Sequence, residues 1–274
     1  MIQDIAPSVF HNEYTKKDPS ADDYVFIFNE KEILVKDEAE GITCPKVSDI
    51  GKDKLQFLFT LNDSYDYLYL GNELLLPNGF HYENVKNLRH SPNKLLAFAG
   101  MTAYHLYIWY KNNRFCGRCG AKTIIYNKER ALKCPLCDNI IYPRISPAVI
   151  VAVTNGDQII ITRYSGREYK GLALIAGFCE IGETAEETVA REVMEEVGLK
   201  VKNIRYYKSQ PWGFDSNLLL GFYCELDGNS SITMDTSELK TAKWIKKEDL
   251  EEDTEHVSLT SEMMMAFKHN NYPL

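Results

Sequence analysis

Glu192, Glu195 and Glu196 lie three and four residues apart in a stretch, Gly177 to Leu199, that reads Gly-Phe-Cys-Glu-Ile-Gly-Glu-Thr-Ala-Glu-Glu-Thr-Val-Ala-Arg-Glu-Val-Met-Glu-Glu-Val-Gly-Leu. On an α-helix this spacing gathers the three carboxylates on one side. Charges so close repel, and a hard divalent cation relieves the repulsion. Mg²⁺ and Mn²⁺ prefer carboxylate oxygens and readily bridge to phosphates. The residue types therefore suit a metal held against a phosphorylated substrate. A solvated acidic face is the plainer alternative. It does not account for Gly177, Glu183 and Arg191 standing at fixed offsets from the acids.

A second group of ligand-type residues is Cys116-Gly-Arg-Cys119 and Cys134-Pro-Leu-Cys137, two Cys-x2-Cys pairs separated by 14 residues. Two such knuckles present four thiolates tetrahedrally to Zn²⁺ and leave no open position, so the zinc would be structural. Gly117 and Gly120 permit the turns around the first pair. Disulfides or a redox Cys-x-x-Cys are the competing readings. Seven cysteines, an odd number, favour a reducing compartment. Cys44, Cys179 and Cys224 are scattered and read as small core residues.

The elements that must position these groups are well signalled. Thr184 and Glu187 form a Thr-x-x-Glu capping box, and Gly198 suits a left-handed helix end. Ala190, Val193, Met194 and Val197 are expected on the buried flank. Strands are expected at 148–153 and 158–163, joined by the turn Asn155-Gly-Asp, and at 172–176, 204–208 and 218–226. A last helix is expected at 260–268. The acidic run 248–255 reads as a solvated loop or helix start. Upstream, Tyr24-Val-Phe-Ile-Phe and Ile33-Leu-Val read as a hairpin, followed by strands at 56–60 and 65–70. Ser91-Pro92 opens a helix running to about Lys111, with Leu95, Phe98, Met101, Leu106 and Trp109 as its core or interface positions.

Composition is that of a globular chain, 45% hydrophobic and 26% charged over 274 residues. No apolar run approaches the ~20 residues of a membrane span. Met1-Ile-Gln-Asp-Ile has neither a basic start nor an apolar signal core, so the expected location is cytoplasmic. Residues 111–144 carry eight Lys or Arg against two acids, +6 in a chain of −8. A solvated ribbon surface is the favoured reading of that excess, with an RNA backbone or a neighbouring subunit as the sharper one.

The full pattern is Gly-x5-Glu-x7-Arg-Glu-Val-x-Glu-Glu-x-Gly-Leu. It resembles the signature of the Nudix hydrolases at every position. The ribbon, then Tyr142-Pro-Arg-Ile-Ser-Pro-Ala-Val-Ile and Ser209-Gln-Pro-Trp-Gly-Phe-Asp-Ser-Asn217, resemble the NADH pyrophosphatases, which also decap NAD-capped RNA. The likeness covers about Tyr107 to Trp244. It departs at Gly213 and Asp215, where that motif has prolines, and at Asn217, where it has serine. Glycine in place of proline implies a looser loop.

The resemblance implies an α/β (α+β) chain. A β-rich domain over 1–111 that ends in a helix is followed by a zinc ribbon over 112–143. A Nudix α/β/α sandwich with a mixed sheet then spans 144–274. It implies Mg²⁺ or Mn²⁺ held mainly by Glu192 and Glu196, with Glu195, the Ala176 carbonyl and Glu238 assisting. Glu238 has a plain alternative as an exposed loop acid. Glu196 would orient or deprotonate the attacking water, and Glu183 and Arg191 would brace the loop.

Substrate would meet Tyr142, Gln210, Pro211, Trp212, Gly213, Phe214, Asp215, Ser216, Asn217 and the backbone at Thr260. Gln210 would bond an amide or ribose, and Trp212 and Phe214 would wall a ring unless they are core. The implied reaction cuts NAD(H) to NMN(H) and AMP, or uncaps RNA, in a homodimer. The rivals are the same chemistry on ADP-ribose or another nucleotide, and a non-catalytic sensor or RNA-binding protein on the same scaffold.

Overall fold

The computed structural model describes residues 1–274 except 16, 40, 72–73, 167–170 and 274. It divides into two compact units: Ile2–Arg144 with Gly213–Ser216, and Ile145–Trp212 with Asn217–Leu274 and Met1. No helix among the described residues is long and apolar enough to cross a membrane.

The second unit is built on a six-stranded mixed sheet. Its central strand, Ser146–Asn155, alternates by face. Val149, Val151 and Val153 pack with Val189, Val193 and Val197 of the helix Ala185–Val197. Ile150 and Ala152 pack on the other face with Leu259, Met263 and Phe267 of the helix Leu259–Lys268. Two-residue periodicity in the strand meets a three-to-four-residue periodicity in each helix, so each helix covers one face. Each fully buried valine on that seam contributes about 1.5–3 kcal/mol relative to exposure. The strand pairs in parallel with Asn217–Leu226 and antiparallel with Ile175–Phe178. Val201–Trp212 and Leu239–Lys246 form the sheet edges.

Several boundaries differ from the sequence expectation. The edge strand 201–212 is far longer than 204–208, because pairing with Asn217–Leu226 continues to Trp212↔Asn217. The strand expected at 172–176 is Ile175–Phe178, with Ala173 making only an isolated bridge to Thr162. The last helix begins at Leu259, one residue before Thr260, and Ser258 caps it.

In the first unit the hairpin expected at 24–35 is split at Ile27. Tyr24–Phe26 joins Ser64–Tyr69 in parallel, while Phe28–Asn29 turns back on Glu32–Ile33. The long helix runs Lys94–Asn112 and is capped by Asn93, whose Oδ1 accepts from Leu96 N at 3.1 Å. Ser91, in extended backbone, and Pro92, in a bend, precede it rather than serving as N-cap and N1, because Asn93 supplies the capping oxygen. Its buried side includes Phe98, Met101, Leu106 and Trp109, with Leu95 half-buried. Cys44 and Cys224 are buried core residues.

Asp66, on Ser64–Tyr69, is buried, and its Oδ2 has no hydrogen-bond partner among the described residues. Burial, with repulsion from Asp23, pushes its carboxyl up to about 8 from 3.8. Between those values the native state holds a proton that the unfolded chain releases. Stability therefore falls as pH rises through that window and levels off above about 8. Asp66→Asn is expected to raise the melting temperature by a few degrees near pH 9 and to leave it unchanged near pH 4. A scan showing the same shift at both pH values would remove the buried acid from the account.

Candidate diphosphatase site and zinc ribbon

The glutamate helix starts where its sequence signals it. Thr184 Oγ1 accepts from Glu187 N at 3.2 Å, and Glu187 Oε2 accepts from Thr184 N at 2.8 Å. Gly198 ends the helix at φ +69°, with its N–H on Met194 O at 3.0 Å. The buried face differs from expectation. It is Val189, Val193 and Val197, while Ala190 and Met194 are exposed. The phase shifts because Glu196 itself faces inward, 2% exposed and between Val193 and Val197 in the helix. An ionised carboxylate so placed is costly unless paired or ligating.

Glu192 meets the strand before the helix. A Cβ added to Gly177 would lie 1.9 Å from Glu192 Cδ, so only glycine admits the carboxylate there. This brings Glu192 against the strand segment that carries the Ala176 carbonyl. Burial raises the Glu192 carboxyl above the ordinary range, Arg191 opposes that, and Glu195 and Glu238 add to the rise. Glu238 is thus part of the same electrostatic cluster, although it is exposed.

Arg191 binds the loop to the helix. Its Nε and Nη2 donate to the two oxygens of Glu183 at 2.6 and 3.0 Å, and Nη2 also donates to Phe178 O at 2.9 Å. Its Nη1 donates to Glu192 at 2.7 Å and Glu195 at 3.0 Å. The guanidinium holds Glu183 down to about 2, helped by N–H of Glu180 and the hydroxyl of Thr188. The Glu183–Arg191 brace matches the sequence reading. The Phe178 carbonyl and Thr188 were not foreseen, and the only sequence signal for Thr188 is its place one turn after the cap.

Carboxylates of Glu192, Glu195, Glu196 and Glu238 and a backbone carbonyl at Ala176 are oxygen donors of the kind a hard cation prefers, but among the described residues no three of these carboxylates are drawn together as the four cysteine sulfurs are. The inward-facing Glu196 and the cradle at Gly177 are features that a merely solvated acidic face does not require.

The Ser209–Asn217 segment is less loop-like than its Pro, Gly and Asp suggest. Ser209–Trp212 finishes a strand, Gly213–Asp215 is one 3₁₀ turn, and Ser216 takes φ +59° before the next strand. Gln210 is fully buried. Its Nε2 donates to Val257 O at 2.9 Å and its Oε1 accepts from Leu259 N at 2.7 Å. The side chain expected to bond an amide or ribose instead fixes the backbone beside Thr260, because these buried partners satisfy both ends of the amide.

The looser loop expected from Gly213 is also corrected. A Cβ there would come within 2.4 Å of Met101 O in the long helix, so glycine marks close packing. Phe214 is buried, which is its core alternative. Trp212 and Thr260 are half-buried, and Pro211 and Asp215 are exposed. Asn217 is 9% exposed, and its Oδ1 has no hydrogen-bond partner among the described residues. In the ribbon, Tyr142 is exposed and donates to Glu129 Oε1 at 3.0 Å.

The four ribbon sulfurs lie within 4.8 Å of one another. Cys116 and Cys137 are 3.7 Å apart and Cys119 and Cys134 3.4 Å, spacings that suit tetrahedral Zn–S bonds of about 2.3 Å. The two knuckles repeat one geometry: Gly120 N donates to Cys116 O, and Asp138 N to Cys134 O. Gly120 and Asp138 both take positive φ, +74° and +56°, whereas Gly117 does not and serves no such turn. The N–H of Arg118 helps hold the Cys116 thiol down to about 6, toward the thiolate that zinc requires.

Comparison with known proteins agrees with this arrangement. Residues 144–267 match the NUDIX domain family, and residues 111–142 match the NADH pyrophosphatase zinc ribbon domain. The chain is similar to the NAD-capped RNA hydrolase NudC of Pseudomonas putida, 46% identical over 52% of this chain and 51% of that protein. The same-named protein of Escherichia coli is 41% identical over 52% of this chain and 55% of its own length. The chain thus spans about half the length of the curated relatives it matches. Among solved structures, a Nudix hydrolase from Nitrosomonas europaea aligns at 21% identity and TM-score 0.48, over 58% of this chain and 94% of its own.

Proposed function

We propose, from the premise that this chain belongs to the Nudix hydrolases and carries the zinc ribbon of the NADH pyrophosphatases, that it hydrolyses the diphosphate bond of NAD(H) to NMN(H) and AMP and removes NAD caps from RNA. The observation that carries the reading is the Glu192 carboxylate seated on Gly177, with Glu195 and Glu238 beside it and Glu196 turned inward on the same helix.

Glu192 and Glu196 would hold Mg²⁺ or Mn²⁺, with Glu195, Glu238 and the Ala176 carbonyl completing the oxygen set. When bound, the cations neutralise the diphosphate and lower the pKa of a water. Glu196 would orient a water or take its proton, and attack of that water's oxygen on one phosphorus would release the other phosphate. Arg191 and Glu183 keep the loop in register with the helix. Positioning and charge stabilisation dominate such a reaction, so little covalent chemistry falls to the protein. Of the segment expected to meet substrate, Pro211, Trp212 and Asp215 remain accessible, and the buried Asn217 Oδ1 has no hydrogen-bond partner among the described residues. Gln210 acts by fixing the backbone at Thr260.

The exposed apolar residues Phe115, Ile124, Leu136 and Ile140 suit burial between two copies of the chain. The free cysteines suit a cytoplasmic location.

The test is kcat/KM for NADH, NAD⁺, NAD-capped RNA and ADP-ribose with each cation. NAD(H) or capped RNA should lead, and ADP-ribose leading would keep the chemistry and replace the substrate. Gly177→Ala is expected to displace Glu192 and lower turnover by roughly 10–100-fold at little cost in melting temperature. Unchanged turnover would show that the cradle does not matter.

A further inference from the structure

We propose that the cleft between the C-terminal end of the long helix and the start of the zinc ribbon is a nucleotide-binding site outside the residues assigned to hydrolysis. The cleft has a volume of about 420 Å³, and Tyr69, Tyr107, Tyr110, Lys111, Arg114 and Lys122 are among the residues lining it. That size is within the range of small-ligand pockets, roughly 300–1,000 Å³. Aromatic rings with cations above them are the surface on which bases stack while phosphates are neutralised.

The cations of this region are not equivalent. Lys133 is paired with Asp138 at 2.6 Å. Arg130 donates to the carbonyls of Asn12 and Leu58. Lys111 pairs with Glu30. Arg114 and Lys122 are exposed, and among the described residues neither has a carboxylate partner. Their backbones are pinned: Phe115 bridges Lys122, and Thr123 N donates to Arg114 O at 3.0 Å. Thr123 Oγ1 further donates to Asn113 O at 2.7 Å. Two charges with no carboxylate partner among the described residues thus stand on paired backbone segments next to the zinc ligand Cys116, in a chain of net charge −8. Arg114 offers a planar fork that matches phosphate oxygens, and Lys122 a point charge.

Tyr107 is half-buried and stacked on Phe28, with centroids 5.0 Å apart and planes 30° apart, and Lys111 Nζ lies 5.8 Å from its centroid. A simple inorganic anion would not need this aromatic lining. The fitting chemistry is a nucleotide, phosphate on Arg114 and Lys122 and base among the tyrosines, taken either free or from a single strand of RNA.

The experiment uses the full chain with no added Mg²⁺ or Mn²⁺, so that hydrolysis is not involved. A short fluorescent 5′-phosphorylated oligouridine is titrated, with AMP as competitor, against the parent and R114E/K122E. The expected result is strand binding that weakens with salt and falls at least about tenfold in the double variant. Zinc content, and NADH turnover assayed separately with Mg²⁺, should stay at parental values. Displacement by AMP would identify free mononucleotides as ligands, and binding that AMP does not displace would identify the strand. Binding of neither probe, or parental affinity in R114E/K122E, overturns the site. Absence of NADH turnover in the parent in the assay with Mg²⁺ would count against the diphosphatase reading alone.

Discussion

Glu196→Gln is expected to lower turnover by roughly 10³-fold while leaving the melting temperature close to that of the parent. The two halves of this result have one cause. Glu196 is almost fully buried on the helix face that also carries Val189, Val193 and Val197. Glutamine keeps the shape and removes the charge, so the packing of that face is retained. On the proposed mechanism, the same change would also remove an anionic oxygen from the cation-binding set and the group that orients the water. An ordinary exposed glutamate would behave otherwise: its neutralisation shifts stability within about ±0.5 kcal/mol and leaves chemistry untouched. Turnover within about threefold of the parent would remove Glu196 from its role.

Cys116→Ser is expected to take zinc from about one per chain to near none and to open the ribbon to proteolysis. The ribbon has three short strands, Ile124–Tyr126, Ala131–Lys133 and Ile140–Ile141, and exposes Phe115, Ile124 and Leu136. So small a sheet has little core of its own, and binding of structural zinc, about 10–16 kcal/mol in isolated fingers, must supply its stability. Cys116 is itself buried, and its Sγ accepts from Arg118 N at 3.4 Å, so serine loses both the ligand and the thiolate-stabilising contact. Metal analysis checks the first half and limited proteolysis the second. Full zinc retention would contradict the ribbon assignment.

The parts of the site legible in the sequence were those written in local spacing. The Thr184–Glu187 box, the Gly198 stop, the Glu183–Arg191 brace and the four-cysteine tetrad each depend on short offsets or a repeated motif. What was missed depended on distant partners. Gln210 looks available for substrate until the backbone at Val257 and Leu259, 47 and 49 residues on, takes both ends of its amide. Gly213 looks like a loosened turn until the Met101 carbonyl closes on it. The helix phase was misread because all three acids were assigned to one polar side. One of them points to the core, and Ala190 and Met194 give up their expected places to Val189 and Glu196. The break at Ile27 followed from sheet pairing with Ser64–Tyr69, which no local periodicity announces.

The central claim is that the carboxylates of Glu192, Glu195, Glu196 and Glu238 serve hydrolysis of a dinucleotide diphosphate. Product analysis of NADH incubated with the full chain and Mg²⁺ or Mn²⁺ tests it most directly. The account predicts AMP and reduced NMN in equal amounts, formed only with the cation and almost absent in Glu196→Gln. Release of free nicotinamide, or cation-independent turnover that Glu196→Gln leaves intact, would contradict it.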